Sequence, residues 1–295
     1  MTVSRCGFVA LAGRPNVGKS TLLNHLLGRK LSITARKPQT TRHNLLGVDT
    51  RAETQIVFLD TPGIHRPNRR AMNRYMAGQA ASAIRESDAV VLLTEARRWI
   101  SEDELALRRV ADARCECICA INKIDRLRDR RALLPMIDDA RGRYDFSAIV
   151  PISALKGEGL DALWAEASSL LPEGRHLFAE GDVTDRPTEF FLAEIVREKI
   201  TRRLGAEIPH RVTVAVERFA AKPHLAEVDA VIYVERASQK GIVIGRGGSR
   251  LKSIGQDARA DIEALLGQRV MLRLWVKVRR GWTDDARVLA TLGYR

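Results

Sequence analysis

At 295 residues the chain is about twice the length of one ordinary domain, so two domains with sizeable cores are expected. A hydrophobic content of 45% excludes wholesale disorder, and without a run of eighteen apolar residues no membrane span is expected. The net charge of +13 points to a polyanionic partner, nucleic acid or an anionic membrane surface, and ten basic against three acidic residues within 240–280 concentrate that charge in the C-terminal third.

The first apolar run, Cys6 to Ala12, is shorter than a signal peptide needs and leads straight into Gly13, so it reads as a buried first strand. Further strands are predicted at 45–49, 55–60, 89–94, 115–122 and 146–152. Helices are predicted at 19–27, 73–87, 103–113, 130–142 and 160–171. This alternation predicts an α/β domain over residues 1–171, with a mainly parallel sheet and helices on both faces. The short join between 45–49 and 55–60 makes that pair an antiparallel hairpin. Cys115, Cys117 and Cys119 alternate along one strand and, with Cys6, lack the paired spacing of a zinc site. They read as small buried hydrophobes in a reducing compartment.

Pro172, Gly174, Gly181 and Pro187 mark a linker over 172–186. Beyond it, residues 187–295 read as a separate α+β domain. A helix at 188–204 is closed by Gly205, and strands follow at 211–219 and 228–235. Two helical pieces flank Gly245–Gly248, the second at 249–266; a strand at 270–278 and a helix at 284–292 complete the domain.

Gly13-Arg14-Pro15-Asn16-Val17-Gly18-Lys19-Ser20 fits GxxxxGK(S/T) between the first strand and the first helix. Backbone N–H groups of such a loop wrap phosphates, and the helix N-terminus adds positive potential. Gly13, Asn16, Gly18, Lys19, Ser20 and Thr21 are the candidate phosphate-binding residues. Lys19 neutralises β and γ oxygens, and Ser20 offers its hydroxyl to Mg²⁺. At the end of the third strand, Asp60-Thr61-Pro62-Gly63 supplies an acid for Mg²⁺ and the Gly63 N–H for a γ-phosphate. In the loop 37–42, Thr41 is the candidate Mg²⁺ ligand, with Thr40 as the alternative.

Asn122-Lys123-Ile124-Asp125 follows in the order a guanine site requires. The Asp125 carboxylate accepts from both N1–H and the 2-amino group of guanine, and adenine has neither donor. Asn122 and the Lys123 stem brace the loop and the base, and Ser153-Ala154 offers a backbone N–H to the guanine carbonyl. Together these motifs resemble the translation-factor-like GTPases over 1–171. Ile64 stands where Ras-like enzymes carry the water-orienting Gln, so intrinsic turnover on the order of 10⁻⁴ s⁻¹ is expected. The candidate catalytic residues are Lys19, Thr41, Gly63 and Asn16. Asn16 serves either to brace the loop or to hold K⁺, as the loop is similar to that of potassium-stimulated relatives.

Gly245-Arg246-Gly247-Gly248 is a GxxG loop between two helical pieces, the element with which KH domains clamp about four nucleotides. Arg246, Arg250 and Lys252 line the expected phosphate path, and the strands at 211–219 and 228–235 are the expected far wall of the base groove. Trp275, alternating with Leu274 and Val276 on a strand, reads equally as core packing or a domain interface, and Trp282, beside Arg279 and Arg280, is a somewhat better RNA-side candidate than it or Trp99. The helix–strand–strand–helix–GxxG–helix–strand order looks like a type II KH domain.

Joined to the N-terminal GTPase, it resembles the Era family. The stretches 36–42, 184–186, 196–199, 234–236, 239–241, 274–278 and 281–294 carry the likeness over nearly the whole chain. The resemblance implies a GTP/GDP and Mg²⁺ switch that binds the 3′ end of 16S ribosomal RNA and assists assembly of the small ribosomal subunit. It also implies a cytoplasmic, monomeric protein with some peripheral association with the inner membrane face. An alternative is a membrane-associated regulatory GTPase whose basic C-terminal patch meets anionic lipid.

Overall fold

The structure, a computed structural model, describes residues 4–35, 40–65, 70–204 and 211–294. They form two compact units. The first holds residues 4–32, 41–65 and 76–185. The second holds 186–204 and 211–294 together with 33–35, 40 and 70–75.

The first unit is a six-stranded sheet of order β2-β3-β1-β4-β5-β6. Its strands are β1 (Arg5–Ala12), β2 (Leu45–Arg51), β3 (Thr54–Asp60), β4 (Ala89–Glu95), β5 (Glu116–Asn122) and β6 (Ala148–Ile152). All neighbours pair parallel except β2, which runs antiparallel to β3 as the short join predicts. Helices α1 (Lys19–Leu26), α2 (Ala71–Glu86), α3 (Ser101–Ala111), α4 (Leu133–Arg141) and α5 (Leu160–Ser169) connect the strands. Because helices cover both faces, central strands are apolar throughout: Val9–Ala12 and Ala89–Leu93 are fully buried. Cys6, Cys117 and Cys119 are buried free thiols, and burial pushes the Cys119 thiol up to about 12. Cys115 precedes β5 and is only half-buried.

Two boundaries differ from expectation. The helix expected at 130–142 starts as a 3₁₀ turn, Arg130–Ala132, in which Asp129 accepts the Arg131 N–H at 2.9 Å. α4 follows with Pro135 in its first turn, where a missing N–H costs nothing. The stretch read as a linker is fastened along the first unit. Pro172 accepts the Cys6 N–H at 3.2 Å, and Val183 accepts the Val48 N–H at 2.9 Å. Gln55, fully buried, takes the Leu177 and Phe178 N–H groups on Oε1, and its Nε2 donates to the Phe178 carbonyl. A buried amide with both ends satisfied thus clips this stretch in place.

In the second unit α6 (Thr188–Arg203) is followed by β7 (Val212–Ala221), β8 (Ala226–Val234), α7 (Ala237–Ile244), a 3₁₀ turn at Arg246–Gly248, α8 (Ser249–Leu266), β9 (Val270–Val278) and α9 (Ala286–Thr291). β8 is central, antiparallel to β7 and parallel to β9. Strict alternation puts Ala226, Val228, Ala230, Ile232 and Val234 into the core beneath the helices, with Leu192, Val196, Ile254 and Ile262 above them. α6 ends at Arg203, and Leu204 turns extended; Gly205, expected as its cap, lies outside the described residues. Trp282 is fully buried and stacks on Tyr294, whose hydroxyl lies 2.9 Å from that of Thr213. Its ring is therefore a core element and is not a surface for RNA. Trp275, on the sheet face opposite the helices, is 44% exposed.

Candidate functional site

The loop between β1 and α1 can be built only with glycine at its ends. Gly13 has φ 141°, and a Cβ there would sit 2.6 Å from the Leu93 carbonyl oxygen. Gly18 has φ 115°, and a Cβ would sit 2.3 Å from Asn122 Nδ2. Gly18 caps α1, and its carbonyl takes the Leu22 N–H at 2.9 Å. The N–H groups of Lys19, Ser20 and Thr21 in the first turn then lack helical partners and are free to bind an anion. Lys19 is buried, and its Nζ donates to the Gly13 and Arg14 carbonyls at 3.0 Å each. Burial pushes its pKa down to about 8, against the pull of Asp60. Lys19 still carries its charge at neutral pH, confined where a polyphosphate can pair with it.

Asp60, at the end of β3, is fully buried. Its Oδ2 accepts from Ser20 at 2.7 Å, from Ser32 at 2.6 Å and, more loosely, from Thr41 at 3.4 Å. The Ser20 and Thr41 hydroxyls are 2.8 Å apart. Thr41 therefore brings its hydroxyl to this centre, while Thr40 is held through its carbonyl by Arg197. Asp60 Oδ1 is buried with no hydrogen-bond partner among the described residues, and burial raises the pKa of its carboxyl. An orphaned buried carboxylate oxygen beside two hydroxyls is an all-oxygen donor set that fits Mg²⁺, which takes few protein ligands and completes its shell with phosphate and water. Ser32 has no motif to announce it; it arrives through the loop after α1.

Gly63 lies against the phosphate loop, where a Cβ would sit 2.8 Å from Pro15 Cα, and its N–H makes no hydrogen bond among the described residues. The next residue, Ile64, donates its N–H to the Gly13 carbonyl at 3.0 Å. It buries its side chain with Ala80 and Ile84. It cannot orient a water.

The candidate base-recognition residues lie together beside the phosphate loop. Asn122 Nδ2 donates to the Val17 carbonyl at 2.8 Å, and Lys123 Nζ donates to the Asn16 carbonyl at 2.7 Å, so both brace the phosphate loop. Asp125 is exposed, and the Ser153 hydroxyl donates to its Oδ1 at 2.6 Å. The expected role of Ala154 is not available in this arrangement, because its N–H is taken by Asn122 Oδ1 at 2.9 Å. The N–H of the following Leu155 makes no hydrogen bond among the described residues. Asn16 has φ 62°, a left-handed conformation that asparagine tolerates better than most residues.

In the second unit α7 ends on Gly245 at φ 76°. Gly247 and Gly248, at φ 56° and 80°, turn the chain into α8. A Cβ on Gly247 or Gly248 would meet nothing within 4 Å, so the loop stands open. Arg246, Arg250 and Lys252 are exposed beside it. Arg250 leans back to donate to the Ile242 carbonyl, whereas Arg246 and Lys252 form no ion pair among the described residues. One expectation is corrected: β7 packs under α6, and α7 and α8 lie over β8 and β9. The strand beside the loop, apart from β8, is therefore β9 and not β7.

Comparison with known proteins agrees with this arrangement. A family described as 50S ribosome-binding GTPase matches residues 8–123, and a KH-domain family matches 207–283. The chain is 51% identical to the GTPase Era of Ectopseudomonas mendocina over 99% of its own length and 98% of the relative's. It is 50% identical to that of Pseudomonas aeruginosa strain LESB58, over 99% and 95%. The solved structure of Era in complex with MgGDPNP and nucleotides 1506–1542 of 16S ribosomal RNA superimposes with a TM-score of 0.95 at 39% identity, over 99% of both chains. A variant of Aquifex aeolicus Era bound to GDP and AlF4⁻ superimposes with a TM-score of 0.94 at 39% identity, over 98% of this chain and 99% of that one.

Proposed function

This chain belongs to the Era family of GTPases, and we propose that it couples GTP hydrolysis to recognition of the 3′ end of 16S ribosomal RNA, assisting assembly of the small ribosomal subunit. The observation that carries this reading is the end-to-end likeness to an Era that holds MgGDPNP and a 16S segment at once. Gly13, Asn16, Gly18, Lys19, Ser20 and Thr21 hold the phosphates. Asn122, Lys123, Asp125 and Ser153 select guanine. Ser20, Thr41 and Asp60 hold Mg²⁺, which when bound supplies positive charge to the β and γ oxygens. Lys19 adds its own charge there, and the Gly63 N–H meets the γ-phosphate. The GxxG loop with Arg246, Arg250 and Lys252 clamps the RNA backbone.

The switch is supported by how residues 33–35 and 40 are held. Glu198 accepts the Thr34 N–H at 3.1 Å, Arg202 donates to the Thr34 carbonyl at 3.1 Å, and Arg197 donates to the Thr40 carbonyl, all from α6 of the second unit. The next residue, Thr41, has its hydroxyl at Ser20 and Asp60 of the first unit. A nucleotide that acts on Thr41 would therefore act on the chain next to a segment that α6 grips. By linkage, RNA then tightens GTP binding by the factor by which GTP tightens RNA binding, commonly about 5–150-fold. The reading places the protein in the cytoplasm, where free cysteines persist. It also includes the peripheral membrane association implied by family resemblance.

Crosslinking to RNA in cells and sequencing the footprint tests the partner. A footprint away from the 3′ end of the small-subunit RNA would overturn it. An RNA affinity equal in the GDP and GTP-analogue forms would remove the coupling.

A further inference from the structure

Arg14 lies in the phosphate loop at a position the loop pattern leaves open, yet it is 93% buried, at 7% exposure. Its guanidinium is held by two carboxylates from different elements. Nε donates to Asp103 Oδ1 on α3 at 3.0 Å, and Nη2 lies 2.9 Å from Glu95 Oε1 at the end of β4, an ion pair outside hydrogen-bond alignment. Asp103 also closes the start of α3 by accepting the Ile100 N–H at 3.2 Å. Glu95 in turn accepts from Lys123 Nζ, which donates to the Asn16 carbonyl at 2.7 Å. A closed circuit results: Arg14 to Glu95, Glu95 to Lys123, Lys123 to Asn16, and back through Pro15. Within it Glu95 is shared by Arg14 and Lys123; Arg97 pairs with its other oxygen at 3.1 Å, and Asp103 faces Arg14 from outside the circuit.

Burial raises the Asp103 carboxyl above its ordinary pKa. Burial pushes Glu95 the same way, but its hydrogen bond from Lys123 and the charge of Arg14 outweigh that and hold it below. An arginine taken out of water is costly unless paired in this way, and such buried pairs are poor sources of net stability. They do fix geometry. Here the geometry is that of residues 14–16, which include the left-handed Asn16 and the Pro15 backbone against which Gly63 rests.

We propose that Arg14 is a positioning residue. It fastens the rim of the phosphate loop to β4 and α3, and through Glu95 it ties the grip on the β-phosphate to the lysine of the guanine site. The assignment rests on the nucleotide-site reading above. Arg14 itself need not touch the nucleotide, since its guanidinium is spent on Glu95 and Asp103.

The readout is the ratio of the GMP to the GDP dissociation constant, which isolates the grip on the β-phosphate from base recognition and from general loss of fold. In Arg14→Ala the ratio is expected to fall about tenfold, because a loop free to shift by a fraction of an ångström no longer aims its N–H groups. GMP affinity should change by less than about twofold. Arg14→Lys should keep most of the ratio. Asp103→Asn, which keeps side-chain volume and removes the charge, should lower it in the same sense, and this variant carries the test if Arg14→Ala does not fold.

GDP and GMP affinities that fall together, or a ratio unmoved in both Arg14→Ala and Asp103→Asn, would overturn the proposal. Its failure is distinct from failure of the nucleotide site. A parent chain that does not bind GDP, or an Asp125→Asn variant with unaltered base preference, sinks the site assignment. Tight GDP binding with an unmoved ratio sinks only the role of Arg14.

Discussion

The Ser153 hydroxyl donates to Oδ1 of Asp125 at 2.6 Å, so one oxygen of an otherwise exposed carboxylate is oriented before any base arrives. That leaves Asp125 as an acceptor for the two donors on the Watson–Crick edge of guanine. Asp125→Asn puts an amide donor there and should exchange guanine for xanthine preference. The loss for GTP should be at least about a hundredfold, within the 10⁴–10⁵ that paired hydrogen-bonding sites command. Ser153→Ala should cost about five- to tenfold, the worth of one hydrogen bond. Competition of GTP against XTP for each variant measures both, and unchanged preference in Asp125→Asn would refute the assignment.

Lys19 carries a pH prediction with a definite sign. Its folded pKa, about 8, lies below the ordinary 10.5, so between these values the unfolded chain binds more protons than the folded one. Stability of the nucleotide-free protein therefore rises with pH across that window as the penalty of a buried charge is relieved. Phosphate binding needs the charged form, so GDP affinity should fall as pH climbs past about 8, by up to tenfold per unit. Titrations across that range check it, and a flat profile contradicts it.

Gly247→Asp should separate RNA binding from folding. The position has φ 56° and open space around it, and aspartate tolerates the left-handed region at a cost of about 1 kcal/mol. The fold and GTP hydrolysis should survive while RNA affinity drops at least tenfold, since an anion now faces the phosphates. Arg246→Ala and Lys252→Ala should each lower the slope of log affinity against log salt by about 1. A Gly247→Asp variant with parental affinity would show that RNA does not use this loop.

Ile64 donates its N–H to Gly13 and sits in the core, so the water-placing task of a Ras-like glutamine goes unfilled. Unaided hydrolysis should be on the order of 10⁻⁴ s⁻¹. Ile64→Gln should not accelerate it, because the amide would enter an apolar pocket at a cost of about 1–3 kcal/mol. If Asn16 holds a monovalent cation, hydrolysis runs faster in potassium than in sodium buffer, and equal rates would return Asn16 to bracing alone.

Periodicity and motif spacing in the sequence determined the six strands of the first unit, the hairpin at its edge, the order of the second unit and most of the nucleotide site. These are local facts: a glycine at a left-handed turn, an apolar run, an acid at a strand end. What only the tertiary structure decided involves partners distant in the chain. Trp282 proved to be core because Tyr294 stacks on it, and stacking leaves no trace in spacing. Ala154 lost its N–H to Asn122 across 32 residues, and Ser32 joined Asp60 across 28. The stretch 172–185 is fastened by Gln55, whose buried amide looks in sequence like any polar residue on a strand. Arg14 occupies a position the phosphate-loop pattern leaves open, and its meaning came only when folding brought Glu95 and Asp103 around it. A buried charge must find its counter-charge wherever the fold supplies one, and that choice is made in three dimensions.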